Sequence, residues 1–317
     1  MKVRSFILPA VGLATLIVLP AFLSPNMLAA SITMMIAALF ALAFTLAMGQ
    51  AGMLSFGHAA YYGLGAYGAG ILLAKLHFAS VWGAIGAGLL LAGVGGAIIG
   101  FFCLRRHGIY FAMLTLAFAQ LLYFIGFHLS SWTGGDDGLR GIPQLTLGFP
   151  GFPVSLEKPL AFYYFCFVLV GLAVALLKRI LDSPFGAVLQ AIRENSDRAV
   201  ACGYDIDRVK LLSFVFSAMF AGLAGALDAL RLTVVPIESL YWTTSGQVVM
   251  MTLLGGAGTF FGPFVGATAF LVLEDRLSAF TESWPLVIGA IFSAFVLFLP
   301  RGIWGTIIGG FHGRQGA

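Results

Sequence analysis

Ionisable side chains inside long apolar runs are costly to place there, so they are the first residues to ask about chemistry. Few exist in this chain of 317 residues. His58 opens a glycine-rich run, Asp228 and Arg231 stand three apart near the end of another, where they can pair, and His128 lies at the edge of a third. No chain of buried carboxylates is present of the kind a proton- or sodium-coupled carrier uses. A phosphate-cradling loop needs a Gly-Lys-Ser/Thr step, yet none of Lys2, Lys75, Lys158, Lys178 and Lys210 follows a glycine. The chain is therefore not its own ATPase of that type. It also has no Gly-x-Ser-x-Gly or His-Glu-x-x-His sequence, so a membrane hydrolase has neither nucleophile nor metal ligands. Cys103, Cys166 and Cys202 lack any paired spacing for a disulfide framework or a metal. Asp136 and Asp137 lie in a Thr-Gly-Gly-Asp-Asp-Gly turn without the spaced ligands and closing glutamate of a calcium loop. That turn reads as a surface for an external partner.

What remains is backbone chemistry. Residues 50–74 begin Gln50-Ala51-Gly52-Met53-Leu54-Ser55-Phe56-Gly57-His58, and residues 245–273 are interrupted by Gly255, Gly256, Gly258, Thr259, Gly262 and Pro263. Such breaks free amide groups that lipid cannot satisfy, so they belong where protein or a water-filled path surrounds them. The two stretches resemble each other weakly, Ala51-Gly52 then Phe56-Gly57 against Ala257-Gly258 then Phe261-Gly262. Paired interruptions of this sort mark transport paths in internally repeated folds. Gln50, Ser55, Gly57, His58, Gly255, Gly256, Gly258, Thr259 and Gly262 are the path candidates. The other reading is that the glycines let helices pack closely.

One connecting loop, residues 178–210, differs from the rest of the chain by mixing six basic with five acidic residues. Ser183-Pro184 is a good helix start and Gly203 a good stop. Glu194 and Arg198 have the i, i+4 spacing of an exposed pair. The loop suits docking of a soluble partner, and is equally readable as a solvated connector.

These features must be carried by membrane helices. Hydrophobic residues make up 60% of the chain and charged ones 9%, against about 25% charged in a soluble domain. Apolar runs at 6–23, 27–47, 81–104, 109–129, 160–177, 211–230 and 284–299 approach the roughly 20 residues that cross hydrocarbon as a helix, and they lack the alternation of barrel strands. The expected fold is an all-α polytopic membrane protein: eight full spans, the glycine-rich 50–74 among them, plus a re-entrant pair at 245–273. The first run follows Lys2 and Arg4 as a signal peptide would, but its length and the spans that follow at once make it an uncleaved first helix. The net charge of +4 maps to the ends of runs, so it speaks for topology and not for nucleic acid. With both termini inside, twelve Lys and Arg face the cytoplasm and five the other side, the positive-inside bias. This puts residues 178–210 inside and 130–159 outside.

The stretch Gly49-Gln50-Ala51-Gly52-Met53-Leu54-Ser55-Phe56-Gly57-His58-Ala59-Ala60 resembles the signature of permease subunits of the branched-chain amino acid ABC importer family. Thr133-Gly134-Gly135, Gly141-Ile142-Pro143, Ser183-Pro184-Phe185-Gly186, Ala191-Ile192-Arg193-Glu194-Asn195 and Gly255-Gly256-Ala257-Gly258-Thr259 resemble the LivM-type member, and the likeness runs from about residue 30 to 303. The resemblance implies one permease domain over residues 1–303 with a cytoplasmic tail at 304–317, in the bacterial inner membrane. It implies a homologous second permease, two cytoplasmic ATPases and a periplasmic solute-binding protein as partners, with ATP bound by those partners and no cofactor here. ABC permeases carry a coupling segment related to Glu-Ala-Ala-x3-Gly, and Asp197, Arg198, Ala199 and Gly203 fall in that register, with aspartate and arginine as departures. Arg193, Glu194, Asp197, Arg198, Ala199 and Gly203 are thus the coupling candidates, Ala199 facing the ATPase. The family's substrates include leucine, isoleucine and valine, and relatives carry urea, short amides or aromatic acids. Gln247 stands where an acidic residue is expected. The alternative function is an ATP-independent carrier or facilitator.

Overall fold

A computed structural model describes residues 19–143, 146–149, 152–299 and 302–312. Most of the expected first span at 6–23, up to residue 18, together with Arg301 and Arg314, lies outside the described residues. Pro25 at the first helical position, behind Ser24, starts α1 (Pro25–Thr45). It is followed by α2 (His58–Ala74), α3 (Val81–Cys103), α4 (Ile109–His128) and α5 (Pro159–Leu181). The charged loop holds α6 (Pro184–Glu194) and α7 (Ser196–Ala201), after which come α8 (Ile206–Leu232), α9 (Trp242–Gly255), α10 (Gly262–Phe280), α11 (Trp284–Phe298) and α12 (Gly302–His312). The exception to the all-α expectation is a small antiparallel hairpin, β1 (Thr146–Phe149) with β2 (Phe152–Ser155), in the loop between α4 and α5. Among the described residues six helices are long and apolar enough to cross a membrane: α1 with its extension to Gln50, α3, α4, α5, α8 and the segment begun by α11.

The glycine-rich run differs from a simple span. α2 has 17 residues, a rise of about 26 Å, and most of its surface is buried by protein. It packs with α3 and α8 as the centre of the molecule. At Gly65 a Cβ atom would stand 2.1 Å from the Gly222 carbonyl oxygen, and at Gly225 one would stand 1.9 Å from that of Tyr62. Backbones meet at these points, so the three helices interlock as small-residue membrane interfaces do. The opposite face of α3 carries Leu90, Val94, Ile98 and Phe101, all exposed and spaced along one stripe. Lipid or another apolar surface must cover it.

The connections sort to two ends. One gathers residues 46–57, α6, α7, the break at 256–261 and Gly302. The other gathers the Asp136–Asp137 turn and residues 233–241, joined by an isolated antiparallel bridge between Leu139 and Val235.

Candidate functional site

The first break begins where α1 ends. Residues Leu46–Gln50 widen into a π turn, a departure that frees backbone groups and recurs at functional places in helices. The Gly49 carbonyl, at a helix end without its own ladder partner, accepts a hydrogen bond from Arg193 Nη1. The Arg193 stem lies along Gly52, its Cγ 3.4 Å from where a Cβ would be. A side chain of the charged loop thereby holds the interrupted end of α1.

The α2 N-terminus starts inside the protein, and its orphan amides are met by other elements. Phe56 N–H donates to Thr115 Oγ1 of α4 at 3.2 Å, Gly57 N–H to Ser55 Oγ at 3.2 Å, and Ala59 N–H to Ser245 Oγ of α9 at 2.8 Å. His58 is fully buried, with Nε2 at 2.8 Å from Ser217 Oγ. Ser217 donates its one proton to the Ala43 carbonyl at 2.6 Å. It must then accept from His58, which fixes the Nε2–H tautomer. The rings of Phe44, Tyr61 and Phe214 enclose the imidazole at 4.8, 5.6 and 6.0 Å. His58 is a clasp between α1, α2 and α8 in this conformation.

The second break is stitched to itself and to the first. Thr259 Oγ1 donates to the Gly256 carbonyl at 3.0 Å and accepts from Gly262 N–H at 3.1 Å. A Cβ on Gly255 would stand 1.9 Å from the Gly262 carbonyl oxygen, and one on Gly49 2.4 Å from that of Ala257. Gly302 packs on Gly256. Both interruptions, which lie about 200 residues apart in sequence, are in contact through Gly49 and Ala257.

Several expectations are thereby placed and others corrected. Gly57, Gly255 and Gly262 are buried against protein backbone, as close packing requires, while Gln50, Gly258 and Thr259 keep some exposure. Ser55, Gly57 and His58 do not border an open cavity here: Ser55 and His58 are fully buried. Glu194 and Arg198 do not share a helix, because Asn195 adopts an extended conformation, ends α6 and caps α7 by accepting from Arg198 N–H at 2.9 Å. Ala199 is 4% exposed, turned into its own chain and not outward. Its methyl group is small enough to fit beneath the turn, and Val200, 57% exposed, takes the outward place. Arg193 reaches the Gly49 carbonyl while much of its own surface stays exposed, and Glu194, Asp197, Arg198 and Gly203 are exposed as well.

Thr115, Ser217 and Ser245, which complete the breaks, were invisible to motif reasoning. Their only signal is a hydroxyl in an otherwise apolar run. Asp228 and Arg231 do pair, Nε to Oδ1 at 2.9 Å, with side chains 18% and 23% exposed.

Comparison with known proteins follows the same residues. The family model of permease components of branched-chain amino acid transport systems matches residues 26–299. The chain is 28% identical over 288 residues to the high-affinity branched-chain amino acid transport system permease protein LivM of Escherichia coli, covering 85% of this chain and 68% of that one. To the permease protein LivH of Salmonella typhimurium it is 26% identical over 286 residues, 84% and 91% of the two chains. A probable LivM of Methanocaldococcus jannaschii is 25% identical over 229 residues, 71% and 61%. No solved structure matches the chain.

Proposed function

The chain belongs to the family of permease components of branched-chain amino acid transport systems, and from that premise we propose that it translocates branched-chain or related amino acids within an ATP-driven importer. It works beside a second, homologous permease, with two ATPase subunits on the cytoplasmic side and a solute-binding protein on the other. The membrane is the bacterial inner membrane, with both termini and residues 178–210 in the cytoplasm and residues 130–159 outside. One permease domain extends to residue 303, and the residues beyond form a cytoplasmic tail. ATP is held by the partners.

The observation that carries this reading is the Arg193 bond to Gly49. The loop of α6 and α7 is the sizeable charged surface between spans, and Val200, Cys202, Glu194 and Arg198 are exposed on it. An ATPase docked there moves α6, and Arg193 passes the displacement to the π turn of α1. From Gly49 it reaches Ala257 in the second break by direct contact. Coupling requires an element with two arrangements that both sites bias, and the broken helices at Gly49 and Ala257 are that element. Gln50, Gly256, Gly258 and Thr259 then act as hinges beside the path, while Ser55, Gly57, His58, Gly255 and Gly262 lock together the helices that enclose it.

Reconstitution in vesicles tests the proposal. Uptake of leucine, isoleucine or valine should require ATP, the ATPases and the binding protein, and should stop with vanadate. Uptake by this chain without ATP would instead establish a facilitator.

A further inference from the structure

Two cavities follow each other along one face of α1, at the end of the molecule that carries the Leu139–Val235 bridge. The first, about 230 Å3, is bordered by Pro25, Ile32, Glu157, Phe162, Arg231 and Thr233. The second, about 250 Å3, is bordered by Phe40, Tyr62, Asp228, Arg231, Gln247 and Met251 among others. Arg231 borders both and so lies between them, while its partner Asp228 borders the second. Along α1 the lining advances from Pro25 to Phe40, roughly 22 Å at 1.5 Å per residue. The two linings thus succeed each other from the rim of the helix bundle toward its interior. Below Phe40 the packing closes, because Ala41, Ala43 and Phe44 have no exposure.

The chemistry of this pair is specific. Asp228 and Arg231 lie on a membrane-crossing helix, where charges persist when they pair or serve a solute. The Tyr62 phenol interacts with the Asp228 carboxylate. Only Nε of Arg231 is engaged by Asp228, which leaves the two terminal nitrogens in the planar fork that matches a carboxylate. The Asp228 carboxylate, which accepts from Arg231 Nε and from the Tyr62 phenol, still carries the negative charge that draws a cation. Apolar side chains of Ile36, Phe40, Met251 and Leu271 line the deeper cavity. When empty, the pair neutralises itself, and the one further charge bordering the deeper cavity, the Glu238 carboxylate, is exposed at its rim. When a zwitterion enters, its carboxylate takes Arg231 and its ammonium takes Asp228, so no net charge is added to a low-dielectric site. An anion or a cation of the same size leaves one member of the pair with an unmatched charge, and an uncharged amide gives up both ionic contacts. The deeper cavity is also smaller than the roughly 300–1,000 Å3 of sites for larger ligands.

We propose that Asp228 and Arg231 form a transit subsite for the head group of an α-amino acid, beside the two cavities that Arg231 borders, with the aliphatic side chain received by Phe40, Met251 and Leu271. The proposal rests on the functional reading above, which supplies the direction of passage and the amino-acid class. It adds the residues that recognise the solute after it leaves the binding protein.

The test uses the complete importer carrying Thr33→Cys, a residue on the deeper cavity, in a Cys202→Ser background. Millimolar leucine should slow maleimide labelling at position 33 several-fold, while leucinamide, which lacks the carboxylate, should leave it unchanged. Asp228→Asn and Arg231→Gln should each abolish the leucine protection and lower ATP-dependent leucine uptake at least tenfold. If those variants fail to assemble, the comparison of leucine with leucinamide in the Thr33→Cys importer decides alone. Equal protection by both compounds, or by neither in an importer that transports leucine, overturns the subsite. An assembled wild-type importer that takes up none of leucine, isoleucine and valine with ATP overturns the functional reading instead.

Discussion

Arg193 Nη1 donates to the Gly49 carbonyl oxygen, joining residues 144 positions apart in sequence. The contact ties the end of α6 to the π turn of α1, and α6 is otherwise attached mainly through α7 and its neighbours in the chain. A charge-assisted hydrogen bond of this kind contributes about 1.5–3 kcal/mol. Gly52 is suited to its place beside Arg193 because its φ of +70° lies in the left-handed region that glycine adopts without strain.

Arg193→Ala should therefore uncouple the machine. ATP hydrolysis by the assembled complex should persist while uptake per ATP falls about tenfold or more, since the lost bond is worth that factor. Arg193→Lys should recover part of it, as lysine keeps the charge without the fork. Paired assays of hydrolysis and uptake in vesicles decide this. Unchanged stoichiometry in Arg193→Ala would remove the coupling role.

The partner-facing position is expected at Val200 and not at Ala199. Val200→Glu should weaken copurification of the ATPase subunits without lowering the amount of folded chain in the membrane. Ala199→Glu should lower the amount of folded chain itself, because it places a charge in a position 4% exposed. Quantitative copurification of both variants separates the two outcomes.

Thiol chemistry reads the orientation directly. Cys202 is exposed and Cys103 and Cys166 are buried, so a membrane-impermeant maleimide should label one native cysteine, and only from the cytoplasmic side. Docked ATPase should slow that labelling. A cysteine placed at Asp137 should label from the opposite side, and labelling of both from one side would contradict the assigned topology.

Close approach and open space among the glycines give a stability contrast. Gly65→Ala sets a methyl group against the Gly222 backbone, and overpacking of this kind costs typically 1–3 kcal/mol and more where backbone must move. Gly86 has nothing within 4 Å of a Cβ, so Gly86→Ala should be neutral or stabilise α3 by up to about 1 kcal/mol. Thermal denaturation of the purified complex should lower the midpoint for the first and leave or raise it for the second. Gly57→Leu and Gly262→Leu should behave like Gly65→Ala and lose folded protein together with uptake, because backbone oxygens lie 2.6 and 2.5 Å from their added Cβ atoms.

The sequence alone determined the solvent of this protein and most of its elements. A chain with 9% charged residues cannot hydrate its own exterior, and uninterrupted apolar runs in lipid must close their hydrogen bonds as helices. The positions of the two breaks were equally legible, since glycine and proline act on backbone within a few residues, as Pro184 and Gly203 do at the ends of the charged loop's helices. Local rules stopped at Asn195, whose extended backbone divides the loop where the Glu194–Arg198 spacing suggested one helix.

Tertiary structure decided everything that depends on who satisfies whom. Ser245 caps α2, Thr115 receives Phe56, and Ser217 holds His58, but spacing cannot announce partners 59 to 186 residues away. The same limit hid the inward turn of Ala199 and the contact of Gly49 with Ala257. It also hid the cavities that flank Arg231: three-residue spacing announces the ion pair with Asp228, whereas the space on one side is left between α1, α5 and α8 and on the other between α1, α2, α8, α9 and α10. Helix formation is decided within one turn of chain, while a path through a membrane consists of the gaps left between chains already folded.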